Sequence, residues 1–280
     1  IADADRSRAA ARAARRAVVI GGSFIGCEVA SSLAQLDVQV SMVFMEERLL
    51  ERVCPEPLSR YIESLYAAQG VRILPRNKPG RMEGAGRVAA VQLENGQRLE
   101  ADLVIMGVGI TLNTGLARDA GLEMTDAGAV VVDEFLRTSD ADIYAAGDIA
   151  AWPDPTFGER LRVEHWDVAR QQGTAAGRNM TGEAKPYTAL PYFFSDLFDL
   201  SFEVWGNLGA WDQTVLRGSL EQRSMAFYYF HQGKMVGVLT AGRPDNERKP
   251  MQALVKARPS YDEVASRLAD NAVELKSLMA

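Results

Sequence analysis

Cysteine is nearly absent: Cys27 and Cys54 are the only two in 280 residues. Their separation fits neither a CxxC dithiol nor the paired-CxxC spacing of a zinc site, so a redox-active dithiol and a disulfide-stapled fold are both excluded. Histidine is as scarce, with only His165 and His231, and no metal site is expected. Long apolar runs are missing too. None approaches the roughly 20 residues needed to span a bilayer, and the N-terminus alternates charge with alanine where a signal peptide would carry an apolar core. No membrane association is expected, and the setting expected is cytoplasmic. Nor is there an excess of base. Lys and Arg number 31 against 37 Asp and Glu, a formal net charge of −6, which argues against general nucleic-acid binding.

What is present is an ordinary globular balance, 47% hydrophobic and 24% charged, with room for two domains and a sizeable core. Residues 1–15, rich in alanine and arginine, read as a linker helix rather than a natural beginning. Next comes a β-α-β pattern: a strand at Ala17-Val18-Val19-Ile20, a glycine turn from Gly21 to Gly26, a helix to about Gln35, and a strand from Val38 to Phe44. A helix from Glu56 to Gln69 leads to a strand at Val71–Leu74. A hairpin follows at Val88–Leu93 and Arg98–Leu99, turned by Asn95-Gly96, and then a buried strand at Leu103–Met106. Residues 16–109 thus read as one nucleotide-binding domain. From 110 to 185 the pattern loosens, with a short helix near Asn113–Ala120, strands at Val130–Asp133 and Ile143–Ala145, and a long helix after Glu164. Residues 186–280 read as a small α+β domain with strands at Phe202–Trp205, Met225–Phe230 and Met235–Thr240 and a terminal helix from Tyr261 to Met279.

The first glycine turn carries the strongest chemistry. Gly21-Gly22-Ser23-Phe24-Ile25-Gly26 sits between a strand and a helix, where backbone N–H groups and the positive helix end meet a pyrophosphate. Ser23 stands where glycine normally lets the backbone approach the phosphates, but it is small and its hydroxyl can itself bond a phosphate oxygen. About 20 residues further on, an acid should accept the adenosine ribose hydroxyls of NAD, and Glu46 and Glu47 lie there. NADH is therefore favoured. Arg48 keeps a 2′-phosphate, and so NADPH, open. Glu28, one turn into the helix, reads as an acid stabilised by the helix dipole.

A second signature, Leu136-Arg137-Thr138-Ser139-Asp140-Ala141-Asp142-Ile143-Tyr144-Ala145-Ala146-Gly147-Asp148-Ile149-Ala150, resembles the second flavin-binding motif of the FAD-dependent pyridine nucleotide-disulfide oxidoreductase superfamily. Val108 to Asn113 resembles the loop that approaches the nicotinamide, with Leu112 in place of its proline. Arg162 to Tyr187 resembles the helix that points at the isoalloxazine ring. Pro191 to Asn207 resembles the C-terminal interface domain of the ferredoxin reductase and apoptosis-inducing-factor-like branch, with Phe194 where tryptophan is usual. Ser23 is reminiscent of the subgroup associated with Rieske-type domains.

The resemblance implies an α/β chain: a Rossmann-like NAD-binding domain, part of an FAD-binding domain, and a C-terminal α+β interface domain. The superfamily's first FAD motif, a second strand–GxGxxG–helix unit, is expected to precede Ile1. The implied chemistry is hydride transfer from NADH to FAD, then single electrons to a ferredoxin or Rieske-type iron–sulfur protein, with a homodimer left open. In that scheme Gly147 and Asp148 hold the ribityl chain, Phe24 and Gly109 border the nicotinamide, and Glu164 and His165 open the helix facing the flavin. Trp166 walls the ring or fills core, and Phe194 lies nearby. The basic stretch from Arg243 to Arg258 is a candidate landing area for an acidic partner. Two other readings stand beside this one. One is an apoptosis-inducing-factor-like protein whose partner binding responds to NADH, and the other is an NAD-binding module that carries no flavin.

Overall fold

A computed structural model describes residues 2–279. The chain forms two compact units, Ile1–Gly109 with Ser195–Phe202, and Ile110–Phe194 with Glu203–Ala280.

The first unit opens with helix α1 (Ala2–Ala13), exposed along most of its length, and strand β1 (Arg16–Ile20). β1 lies between β2 (Gln39–Val43) and β7 (Leu103–Met106) in a four-stranded parallel sheet of order β3-β2-β1-β7, with β3 at Arg72–Leu74. A central strand covered on both faces must be apolar without alternation, and Ala17 to Ile20 are all buried. Helix α2 (Phe24–Ala34) turns small residues inward, Gly26, Cys27, Ala30 and Ser31, so that it lies close. Helix α3 (Glu56–Ala68) starts after Pro55 and buries Leu58, Ile62 and Tyr66, one residue per turn on one stripe. The Tyr66 hydroxyl donates to the Cys27 carbonyl at 2.8 Å and ties α3 to α2. Between β3 and β7 a three-stranded antiparallel sheet inserts, β4 (Pro79–Glu83), β5 (Ala90–Leu93) and β6 (Arg98–Glu100). Gly96 supplies the left-handed turn residue at φ +87°, and Asn95 Oδ1 accepts the Gln97 N–H. Val91, Leu93 and Leu99 then pack on Val18, Ile20 and Val43.

In the second unit, helix α4 (Gly115–Asp119) precedes a small sheet of β8 (Val130–Val131), β9 (Ala150–Asp154) and β10 (Glu159–Leu161), and the long helix α5 (Trp166–Met180) follows. Val130, Leu136, Trp152, Leu161, Val168 and Ala176 form its core. The stretch Ile143–Ala145 is not a strand; Tyr144 forms only an isolated bridge to Arg137. The extended pairing comes instead from β9, after the Gly147–Ile149 turn.

The C-terminal part is a five-stranded sheet of order β11-β12-β15-β14-β13, from β11 (Tyr192–Leu197), β12 (Leu200–Gly206), β13 (Gln213–Ser219), β14 (Ser224–His231) and β15 (Lys234–Ala241). Helices α6 (Asp245–Ala257) and α7 (Tyr261–Ala269) supply Met251, Leu254 and Leu268 to its core. The expected helix to Met279 stops at Ala269: Asp270 is extended, and the chain resumes as a short 3₁₀ turn at Leu275–Leu278.

Candidate functional site

Strand β1 leads into a turn to α2 in which three positions, Gly21, Gly22 and Gly26, leave no room for a Cβ. Gly21 has φ +120°, and a Cβ there would meet the Gly107 carbonyl oxygen at 2.3 Å. A Cβ on Gly26 would meet the Gly21 carbonyl oxygen at 2.1 Å, and one on Gly22 would strike the Phe44 ring at 2.8 Å. The turn is therefore pressed against β7 and the end of β2, and it leaves the start of α2 facing outward. Ser23 occupies the N-cap position with extended backbone, and its exposed hydroxyl caps nothing. A serine is at home there because extended φ/ψ is what an N-cap requires. Ile25, Met45, Met106 and Val108 are all more than half exposed around this turn and the adjoining strand ends and give it an apolar rim. Phe24 is half-buried and Gly109, at φ +104°, is exposed.

The loop after β2 is dense in charge. Glu46 is paired with Arg52 at 3.6 Å, Glu47 with Arg76, and Arg48 with Glu51 at 3.4 Å and Glu47 at 3.8 Å. Leu50 N–H donates to the Gly22 carbonyl at 2.8 Å, which fastens this loop to the glycine turn.

Glu28 does more than favour the helix dipole. Its carboxylate accepts the Ser195 hydroxyl at 2.6 Å, and Ser195 is buried. No local sequence signal announces a bond between residues so far apart in the chain. Both cysteines are buried and free. Burial pushes the Cys27 thiol up to about 12 and raises that of Cys54 as well, so neither supplies a thiolate near neutral pH.

In the second unit the Gly147–Asp148 turn is clamped from two sides. Gly147, at φ +80°, donates its N–H to Gln172 Oε1 at 2.8 Å, and Arg162 donates to the Asp148 carbonyl at 3.3 Å. A Cβ on Gly147 would lie 3.2 Å from that of Ala169, so the turn sits tightly on α5. The half-buried Asp148 carboxylate has no partner among the described residues, and the buried Gln172 Nε2 also lacks one.

His165 is the N-cap of α5, where Nδ1 accepts the Asp167 N–H at 3.2 Å, while Nε2 accepts the Phe194 N–H at 3.4 Å. Phe194 stands edge-on to the His165 ring at 5.2 Å, and Phe193 lies 5.8 Å away. Trp166 is 66% exposed under the Arg170 guanidinium. It does not fill core. Glu164 is paired with Arg162 at 2.7 Å.

The sequence profile of the pyridine nucleotide-disulphide oxidoreductases matches residues 1–173, well over half the chain. The chain belongs to this family. A second profile, the reductase C-terminal domain, matches residues 192–279. Monodehydroascorbate reductase 3 of Arabidopsis thaliana is 35% identical, covering 88% of this chain and 58% of the relative. The ferredoxin–NAD(+) reductase component of the Burkholderia cepacia anthranilate 1,2-dioxygenase system is 36% identical over 78% of this chain and 53% of the relative. The chain thus spans a little over half the length of these curated relatives. Among solved structures, a ferredoxin reductase from Rhodopseudomonas palustris superposes with a TM-score of 0.88 at 31% identity, over 99% of this chain and 67% of that one.

The sequence led to an α/β chain with Rossmann-like elements and a C-terminal α+β part, and the fold observed is of that class, with a parallel sheet in the first and an antiparallel sheet in the second. Among the described residues no helix is long and apolar enough to cross a membrane, and no cluster of side chains is suited to hold a metal ion. The residues present fit the cofactors of such a family member. A tight turn with three positions that only glycine can occupy suits a pyrophosphate over a helix end, and an uncommitted, half-buried carboxylate suits a polyol.

Proposed function

We propose that this chain forms the NADH-binding and C-terminal parts of an FAD-dependent reductase that passes electrons from NADH to a ferredoxin-type iron–sulfur protein. The observation that carries the proposal is the sterically glycine-only cradle at the β1–α2 turn, in a family member likened to ferredoxin reductases. Residues 16–109 would hold NADH, residues 110–185 would be the second segment of the FAD-binding domain, and residues 186–280 the interface domain.

Gly21, Gly22, Ser23, Phe24, Ile25 and Gly26 would seat the NADH pyrophosphate against the end of α2, with Glu46 receiving a ribose hydroxyl. The apolar rim would exclude water from the nicotinamide, with Gly109 leaving room for the backbone beside it. Gly147 and Asp148 would hold the ribityl chain. Gln172 holds the Gly147 N–H, so the backbone that carries the carboxylate is set before any ligand arrives. Glu164 and His165 would place the positive end of α5 where negative charge gathers, and Trp166 and Phe194 would wall the ring. FAD, when bound, supplies the conversion of two-electron to one-electron chemistry. The proposal extends to a Rieske-type acceptor on the strength of Ser23, to a cytoplasmic setting on two free thiols, and to a homodimer as the assembly to test first. The likeness to monodehydroascorbate reductase supports a second acceptor class, a one-electron organic radical.

The test is the visible spectrum of the purified protein with and without added FAD, followed by anaerobic NADH and then an oxidised ferredoxin or monodehydroascorbate. The expected result is flavin absorption that bleaches with NADH and recovers with the ferredoxin. Recovery only with the organic radical would replace the acceptor. A colourless protein that still binds NADH would reduce the function to nucleotide binding.

A further inference from the structure

The loop that follows β2 contains three glutamates and two arginines, Glu46, Glu47, Glu51, Arg48 and Arg52, and Arg76 reaches it from beyond β3. Each arginine is matched by an acid, but the three are not placed alike. The side chains of Arg52 and Arg76 are 87% and 70% exposed, whereas that of Arg48 is only 17% exposed. Arg48 lies folded into the loop between Glu51 at 3.4 Å and Glu47 at 3.8 Å, with its Nε buried and without a partner. Glu51 holds the enclosure shut, because its other oxygen accepts the Glu47 N–H at 2.9 Å. The loop is in turn fastened to the glycine turn through Leu50 and Gly22.

A 2′-phosphate is recognised by a guanidinium whose donors face the ligand and whose charge is not already neutralised. Arg48 meets neither condition. We infer that Glu51, assisted by Glu47, is a specificity-determining residue: it withholds Arg48 from the ribose 2′ position, leaves Glu46 as the group that meets a free 2′-hydroxyl, and so selects NADH over NADPH. The inference rests on the reading of the glycine turn as a dinucleotide site. Glu51 need not touch the nucleotide; it acts through Arg48.

Glu51→Gln removes the charge that holds Arg48 while keeping an oxygen for the Glu47 N–H. The experiment is calorimetric titration of the purified protein with NAD+ and with NADP+, which differ only in the 2′-phosphate. Wild type, Glu51→Gln, and the double variant Arg48→Ala/Glu51→Gln are compared, with Glu51→Asp as a second way of loosening the pair should the glutamine variant fold poorly. NADP+ should bind about tenfold or more tightly to Glu51→Gln than to wild type, the worth of one charge-assisted bond, and the double variant should lose that gain. An unchanged NAD+ to NADP+ ratio in both single variants would overturn the inference while leaving the dinucleotide site intact. So would a gain that survives removal of Arg48, since Arg52 or Arg76 would then be the phosphate ligand. A wild-type protein that binds neither nucleotide would overturn the dinucleotide reading itself, and this inference with it.

Discussion

At the scale of single residues, glycine and buried charge do the deciding. Gly21 is fixed by both backbone angle and space, so Gly21→Ala combines a left-handed alanine with a collision against the Gly107 carbonyl. The expected cost is roughly 2–4 kcal/mol of stability, together with loss of NAD+ binding. Thermal melting and calorimetric titration check the two effects separately, and a variant that melts and binds like wild type would show that the turn is not built as described. This position was legible in the sequence because its neighbours are local. Glu28 was not: its partner Ser195 is 167 positions away, and nothing in a helical glutamate reveals which distant hydroxyl it will meet. Arg48 was legible only as an alternative. Its withdrawal from solvent depends on Glu47 and Glu51 closing on it, and a list of charges along a chain does not say which pairs form.

At the scale of elements, the strands and helices with a clean period were found, and those governed by packing were not. β1, β2, β7 and α3 carry continuous or one-stripe apolar patterns and appear where expected. β13 hides because one of its inward residues is Arg217. The residue is 2% exposed, and its guanidinium donates to the carbonyls of Leu268, Asp270, Asn271 and Val273 and to Glu247. It thereby pins the chain that leaves α7. Helix α6 hides between Pro244 and Pro259 with Pro250 inside it. The basic stretch read as a landing area is partly consumed there: Arg243 pairs with Glu247, Arg248 with Glu203, and Arg258 donates to the carbonyls of Thr156, Phe157 and Met235.

Arg217→Met should cost about 3 kcal/mol, since it strands buried carbonyls and removes one of two partners of Glu247. Burial alone would raise the Glu247 carboxyl, but Arg243 and Arg217 outweigh it and hold the group below its usual range. A depressed carboxylate contributes stability that is present above the ordinary glutamate range and lost as pH falls through the folded-state value. The gap between wild type and Arg217→Met should therefore be widest near neutral pH and narrow on acidification. Denaturant melts at several pH values check this, and a gap that widens towards acid would refute the role given to the pair.

At the scale of the whole molecule, the chain divides into two units, and both cysteines lie in the first. Each is less than 2% exposed, and burial keeps both protonated. Thiol labelling should therefore be negligible in native buffer and reach two groups per chain in denaturant, following the opening of the first unit alone. Rapid labelling of either cysteine under native conditions would contradict the packing of α2 and α3 described above.

By itself the sequence determined the β-α-β unit, the glycine turn, the acid beyond the second strand, the Gly147–Asp148 signature and the absence of a dithiol. All of these are set by neighbours within a few residues, through backbone angles, period and helix ends. Only the tertiary structure decided that Gly21 is pressed on Gly107, that Gln172 holds the turn bearing Asp148, that Glu28 meets Ser195, and that Arg48 is enclosed. Those facts depend on which distant segments pack together, and packing is a sum of many weak contacts that no short stretch of chain specifies.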